Sequence, residues 1–96
     1  MIIPKKIEVA GITYRTVFNA QDVGERGRVG EACHLSGQIK LGYTPSGRVL
    51  AANYIHEVLH AVNVCYNAAK LDEETVDRLA NGLHQVIEQI VKVNKC

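Results

Sequence analysis

Residues 53–63, NYIHEVLHAVN, decide how the rest of the chain is interpreted. A helix over about 46–67 turns roughly 100° per residue, so that His56 and His60 share one face. The apolar face lies elsewhere and consists of Ala51, Ile55, Val58, Leu59 and Val62. Two histidines four positions apart can both reach one zinc ion at about 2.1 Å. The stretch therefore predicts a chelating pair on a helix that packs through its other side.

Glu57 follows the first histidine directly and is turned away from the plane of the ligands. From there its carboxylate stays beside the open side of a metal, where it can take a proton from a polarised water. A solvated polar face on an ordinary surface helix would show the same letters. The position of the motif, on a well-patterned helix after predicted strands, favours a metal site with Glu57 as general base.

Length, composition and charge limit the number of domains and the classes of partner that the chain can have. The chain has 96 residues, of which 47% are hydrophobic, and this predicts one small domain spanning residues 1–96. Its formal net charge of +1 argues against direct nucleic-acid binding and against attraction to an anionic membrane surface. The longest apolar runs fall far short of the roughly 20 residues of a membrane span, and the first residues lack the pattern of a signal peptide. We therefore expect a cytoplasmic protein.

The three cysteines are an odd and widely spaced set. Cys33, Cys65 and Cys96 resemble neither a disulfide framework nor a paired zinc knuckle, so free thiols in a reducing compartment are expected. Cys33 and His34 are adjacent in a strand-like stretch, where neighbouring side chains point to opposite faces. They are therefore not expected to chelate a metal together.

The N-terminal half alternates like a set of short strands. Residues 5–18 predict a β-hairpin that turns at Ala10 and Gly11. Residues 19–30 hold three glycines and four charges without periodicity, which predicts an exposed loop. Residues 31–43 predict one or two further strands, with a turn at 36–37. Thr44 and Pro45 then predict the start of the motif helix.

A second helix is predicted from Glu73 to about Lys92, with Asp72 as its N-cap. One stripe of this helix is apolar: Val76, Leu79, Leu83, Val86, Ile87 and Ile90. A polar rim beside the stripe carries Asp77, Asn81 and His84. This rim is expected to face the two histidines of the first helix.

Two segments carry a resemblance to a known family. Residues 56–63, HEVLHAVN, and 75–83, TVDRLANGL, resemble the zincin metallopeptidases, in particular compact phage and mobile-element proteins of the ImmA/IrrE type. The resemblance covers about residues 37–92 and implies a minimal zincin-like α+β domain. In such a domain a small antiparallel sheet packs on the HExxH helix and a second C-terminal helix. It also implies one catalytic zinc ion and hydrolysis of a peptide bond in a protein or peptide substrate.

The same resemblance implies His56 and His60 as zinc ligands, Glu57 as general base and Asp77 as third ligand. In the family an acidic ligand is followed at the third position by alanine and at the sixth by a large apolar residue, a pattern that begins here at Asp77. The family usually has glutamate at the ligand position. Asp77 also lies 17 residues after His60, enough for the chain to end one helix, turn and return.

Other ligands on the second helix remain open. Glu73 and Glu74 fall in its first turn, where acidic residues interact favourably with the helix dipole in any case. His84 lies two turns beyond Asp77, roughly 10 Å along the axis, so the two compete for one ion.

Two functions follow from these expectations. The first is a zinc-dependent peptidase in which Glu57 activates a water molecule. The second is a catalytically weak zincin-fold module that binds metal and docks on a host or phage protein. The sequence identifies no group that would steady the oxyanion of a peptidase, because Tyr54 and Tyr66 are turned away from the histidine face. His34 and His84 cannot be placed without a fold.

Overall fold

The computed structural model describes residues 1–25 and 27–94 and shows an α+β fold. Four strands, β1 (Lys6–Val9), β2 (Ile12–Val17), β3 (Gly30–Cys33) and β4 (Gln38–Leu41), form one sheet. A short helix α1 (Gln21–Glu25) lies between β2 and β3. Two long helices, α2 (Gly47–Asn67) and α3 (Glu73–Asn94), follow the sheet. The predicted fold class is confirmed, and Cys96 lies outside the described residues.

The predicted hairpin turns at Ala10 and Gly11, and the turn predicted at 36–37 lies between two strands. Ala10 and Gly11 have φ angles of 52° and 79°, the left-handed pair that a two-residue hairpin turn requires. The second turn, between β3 and β4, has Gly37 at φ 63°. A Cβ at that position would also lie 2.7 Å from the carbonyl oxygen of Thr13, so glycine is required by close packing as well.

The sheet is mixed, which corrects the expectation of an antiparallel sheet. The strand order is β1-β2-β4-β3, and β2 pairs with β4 in parallel while the two hairpin pairings are antiparallel. The second hairpin thus adds to β2 through β4. Ile39 and Leu41 of β4 are completely buried, whereas all four residues of β3 are only partly buried. Burial therefore favours β4 at the centre and leaves β3 at the edge.

The expectation that residues 19–30 form an exposed loop is partly wrong. It contains α1, whose Val23 is completely buried and anchors the segment to the fold. Lys40 of β4 holds the same helix from the sheet, with its ammonium 2.8 Å from Asp22 Oδ2. A single apolar residue among glycines and charges gave no periodicity from which this helix could be predicted.

The N-cap of helix α2 lies two residues later than expected. Ser46, rather than Thr44, is the N-cap, and its hydroxyl accepts a hydrogen bond from the Val49 amide at 3.3 Å. Pro45 accordingly lies outside the helix. The N-cap of α3 is as predicted, because Asp72 Oδ1 accepts a hydrogen bond from the Thr75 amide at 2.7 Å.

Helix α2 lies between the sheet and α3, so it is covered on more than one side. The core combines strand residues with both long helices: Val9, Tyr14, Ile39, Leu41, Tyr54, Ile55, Ala61 and Ala80. The small side chains Ala61 and Ala80 allow close approach of α2 and α3. On α3, Val76 is also buried, but much of the predicted apolar stripe is about half exposed: Leu79, Leu83, Val86 and Ile90. The packed face of α3 is therefore rotated from the centre of that stripe.

Candidate metal centre

The two histidines of the motif meet on one face of α2, as their spacing predicts. Their Nε2 atoms lie 3.1 Å apart, and their ring centroids are separated by 4.8 Å. Both side chains are about one fifth exposed. Burial lowers the pKa of His60, and the nearby positive charge of His56 acts in the same direction, whereas Glu73 opposes it. A neutral imidazole has a lone pair available for a metal ion.

Glu73, the first residue of α3, lies against both histidines at once. Its Oε1 is 2.8 Å from His56 Nε2, and its Oε2 is 2.9 Å from His60 Nε2. Two imidazole nitrogens and one carboxylate are a common ligand set for zinc. His56, His60 and Glu73 therefore form a group that could hold a metal ion.

A carboxylate and two imidazoles cannot satisfy all the contacts within this group through hydrogen bonds alone. If both imidazoles donate Nε2–H to Glu73, two N–H groups face each other at 3.1 Å. If one Nε2 instead accepts a hydrogen bond from the other, its lone pair is directed at a carboxylate oxygen. A cation between the three side chains removes this conflict, because each ligand then contributes a lone pair.

The spacing of the ligand atoms also fits a metal. Three ligands of a tetrahedral zinc ion, with bonds of about 2.1 Å, lie about 3.4 Å from one another. The separations here are 2.8, 2.9 and 3.1 Å. Movements of a few tenths of an ångström in the exposed Glu73 and the partly exposed histidines would therefore complete three sides of such a site.

The carboxylate predicted as third ligand lies on the outer side of His56. Asp77 Oδ1 is 3.5 Å from His56 Nδ1, the ring nitrogen that does not face the group. Asp77 is therefore placed to orient His56 rather than to join His60 and Glu73. A carboxylate behind a metal-binding histidine commonly fixes the ring and raises its basicity.

The other two alternatives on α3 have separate partners. Glu74 pairs with Arg78 one turn along the same helix. His84 Nε2 lies 3.1 Å from Glu88 Oε1, and neither residue lines the groove that holds His56 and His60. Of the acidic residues in the first turn, only Glu73 reaches the histidines.

The loop before α3 sets the position of Glu73. The backbone carbonyl of Asn63 accepts hydrogen bonds from Ala68, which is in the left-handed conformation, and from Ala69 at 2.9 Å. The side chain of Asn63 is buried, and its amide nitrogen donates a hydrogen bond to the carbonyl oxygen of Leu71. The chain is thereby held to α2 only one turn after His60, and Glu73 begins α3 opposite the histidines.

Glu57 is buried on the sheet side of the same site. Its side chain lies against the backbone of Gly30, where an added Cβ would be 2.9 Å from Glu57 Oε2 and 3.0 Å from its Cγ. Burial raises the pKa of Glu57 to about 7, while the nearby His56 lowers it and Glu73 and Glu31 raise it. A carboxyl group with a pKa near neutral can both accept and return a proton.

A groove of about 680 Å³ joins these features. The group of His56, His60 and Glu73 forms one side, and Glu57 with the edge strand β3 and the residues before it forms the other. The lining residues are Gly27, Arg28, Val29, Gly30, Glu31, Ala32, His34, Asn53, His56, Glu57, His60, Glu73 and Asp77. The predicted base and histidines therefore open into one accessible space.

Three residues of the site gave no decisive signal in the sequence. The helix dipole is a sufficient reason for an acidic residue at Glu73, and Gly30 is one glycine in a segment that holds several. His34 could not be placed without the fold, but it lines the groove, and its Nδ1 lies 2.9 Å from the hydroxyl of Tyr14. Tyr54 is confirmed to be turned away from the groove, since it is buried in the core.

The remaining observations concern the chain as a whole. Cys33 and Cys65 are free thiols, as the spacing of the cysteines predicts. Among the described residues, no helix combines the length and the apolar character needed to cross a bilayer. The chain matches no protein-family model, no curated protein and no solved structure.

Proposed function

We propose that this protein is a zinc-dependent peptidase in which His56, His60 and Glu73 hold the metal and Glu57 is the general base. The observation that carries the proposal is the shared groove. Three side chains that could hold a metal ion and a buried carboxyl group with a pKa of about 7 open into the same space. The zincin resemblance of the HExxH segment agrees with this assignment.

The residues divide the hydrolysis between them. A bound metal would polarise the attacking water and the scissile carbonyl group. Glu57 accepts a proton as the water oxygen adds to the carbonyl carbon, and it returns that proton to the amide nitrogen as the C–N bond breaks. The products are a carboxylic acid and an amine, which exchange the second water proton to give a carboxylate and an ammonium group, and Glu57 ends in its starting form.

The edge strand supports a peptide as substrate. β3 lies at the end of the sheet, and Gly30, Glu31 and Ala32 line the groove beside Glu57. An extended peptide can pair with the main chain of an edge strand. A peptide held in this way would present its backbone carbonyl groups to the metal group.

Metal analysis and a cleavage assay test the proposal together. The purified protein should bind about one zinc ion and cleave casein, and a chelator should abolish the cleavage. Glu57→Gln keeps the shape of the side chain but cannot accept a proton, so turnover should fall at least about 100-fold while zinc remains bound. Undiminished turnover in Glu57→Gln would rule out Glu57 as the base.

A second function is favoured by one specific observation. His56 and His60 lie on α2 and Glu73 lies in the first turn of α3, so an ion bound by these three residues would also hold the two helices together. In this alternative the protein is a metal-stabilised module that docks on another protein. Bound zinc, a melting temperature lowered by chelator and no cleavage would together identify this function.

The cellular setting belongs to the proposal as well. Free thiols at Cys33 and Cys65 agree with a reducing cytoplasm, and the near-zero net charge gives no attraction to nucleic acid or to a membrane surface. The partner that we propose is a protein or peptide.

A further inference from the structure

His34 lines the same groove, and its Nδ1 atom contacts the hydroxyl of a buried tyrosine. Tyr14, on β2, is completely buried, and its hydroxyl lies 2.9 Å from His34 Nδ1. The two rings meet edge to face, at an interplanar angle of 86° and a centroid distance of 5.9 Å. A buried hydroxyl and a ring contact therefore both fix the orientation of His34.

The chemistry of the pair sets the tautomer of His34. A phenol is a good donor and a poor acceptor, whereas an unprotonated imidazole nitrogen is a good acceptor. Burial raises the pKa of Tyr14, and the hydrogen bond with Cys65 acts in the same direction, so the hydroxyl keeps its proton. Tyr14 thus donates to Nδ1, and the hydrogen of the neutral His34 ring lies on Nε2. The Cys65 thiol, 3.8 Å from the same hydroxyl, can donate to the phenol oxygen.

The remaining ring nitrogen of His34 is therefore a donor in the groove. His34 lines the same groove as His56 and His60, so the three rings belong to one site. Hydrolysis places negative charge on the oxygen of the scissile carbonyl group. A fixed donor aimed at that oxygen stabilises the transition state more than the ground state.

We infer that His34 Nε2 donates the hydrogen bond that steadies the oxyanion, and that Tyr14 positions His34 for this role. The inference rests on the proposed peptidase function. It assigns a group on the sheet side of the groove to the reaction, opposite the metal ligands of α2 and α3.

Tyr54 provides a matched comparison for Tyr14. Both tyrosines are buried, but the Tyr54 hydroxyl has no hydrogen-bond partner within the part of the chain that the structure describes. Replacing Tyr54 with phenylalanine removes only an unpaired polar atom. Replacing Tyr14 with phenylalanine removes the bond that sets the tautomer of His34.

The test measures casein cleavage, zinc content and the nitrogen chemical shifts of His34 in the full chain. In His34→Ala, kcat should fall about 100- to 1,000-fold, with KM changed by less than about threefold and zinc content unchanged. Tyr14→Phe should keep zinc, lose about tenfold in kcat and shift the His34 nitrogen signals away from the Nε2–H tautomer. Tyr54→Phe should match the wild type in all three measurements.

Two results would overturn the role of His34 alone. These are wild-type kcat in His34→Ala, or nitrogen shifts showing the proton on Nδ1 in the wild type. Failure of the proposed function looks different, because the wild type itself would then lack chelator-sensitive cleavage, and the role of His34 would fall with it.

Discussion

Asn63 holds Leu71 through both backbone polar groups of that residue. The Asn63 amide donates to the Leu71 carbonyl oxygen at 3.1 Å, and the Leu71 amide donates to Asn63 Oδ1 at 3.1 Å. Asn63 is buried on α2, while Leu71 lies two residues before Glu73. These two hydrogen bonds fix the end of the loop before α3. They thereby fix the position of the Glu73 carboxylate beside the histidines.

Replacing Asn63 with alanine should weaken both the fold and the metal site. Two backbone groups of Leu71 would lose their partners, at a cost of about 2 kcal/mol in the free energy of unfolding. Zinc affinity should fall as well, because Glu73 would no longer be held opposite His56. Urea denaturation of the metal-free protein and zinc titration measure the two effects. Asn67→Ala is the control, since the Asn67 side chain donates to Asn63 and not to the loop; equal losses in both variants would contradict the assignment.

The identity of the third ligand can be decided by affinity. Glu73→Ala should lower zinc affinity at least about 100-fold, because it removes the proposed third ligand. Asp77→Ala should lower it about tenfold, the scale for losing a group that only orients a ligand. Glu74→Ala is the matched control in the same helical turn and should bind zinc normally. A larger loss in Asp77→Ala than in Glu73→Ala would return the ligand role to Asp77.

The stability of the metal-free protein should depend on pH through Glu57. Its pKa is about 7 in the folded protein, against an ordinary value of 4.5. Between these values the unfolded chain releases its proton first, so folding loses stability as the pH rises from about 5 to about 8. The loss is of the order of 3 kcal/mol at most.

Urea denaturation in chelator at pH 5 and pH 8 measures this loss. Glu57→Gln cannot ionise at this position, so it should lose less stability than the wild type over the interval. Added zinc should reduce the difference, because a nearby cation lowers the pKa of Glu57. Parallel pH profiles for wild type and variant without metal would show that the carboxyl group is not buried as described.

A methyl group added at position 30 should displace the carboxyl group of Glu57 and leave zinc binding unchanged. In Gly30→Ala the new Cβ would meet Glu57 Oε2 at 2.9 Å, so the carboxyl group must move. We expect a loss of about 1 to 3 kcal/mol in stability, a large fall in casein cleavage and normal zinc content. Gly24→Ala is the control, because nothing lies within 4 Å of a Cβ there. Normal cleavage by Gly30→Ala would mean that Glu57 can act from a shifted position.

The features predicted from sequence are those set by local periodicity. His56 and His60 are four residues apart in one helix, so their proximity follows from helix geometry without knowledge of the fold. The hairpin at Ala10 and Gly11 and the cap at Asp72 are equally local. Each depends on a few consecutive residues.

The features that could not be predicted depend on distant contacts. Glu73 reaches the histidines because the loop before it includes two left-handed alanines, Ala68 and Ala69, with φ angles of 51° and 56°. Alanine is unusual in that conformation, so the letters gave no sign of the turn. The parallel pairing of β2 with β4 likewise depends on how the second hairpin packs against the first. The alternation of apolar and polar residues within each strand does not predict that pairing.

The contact between Gly30 and Glu57 links two positions that are 27 residues apart in the sequence. The volume that a side chain would occupy on β3 is filled by the carboxyl group from α2. In an evolving lineage the two positions should therefore change together: a larger residue at 30 would require a shorter one at 57, and with it the loss of the base. If Glu57 is the base as proposed, the residue at position 30 would indicate whether a related chain has room for that base.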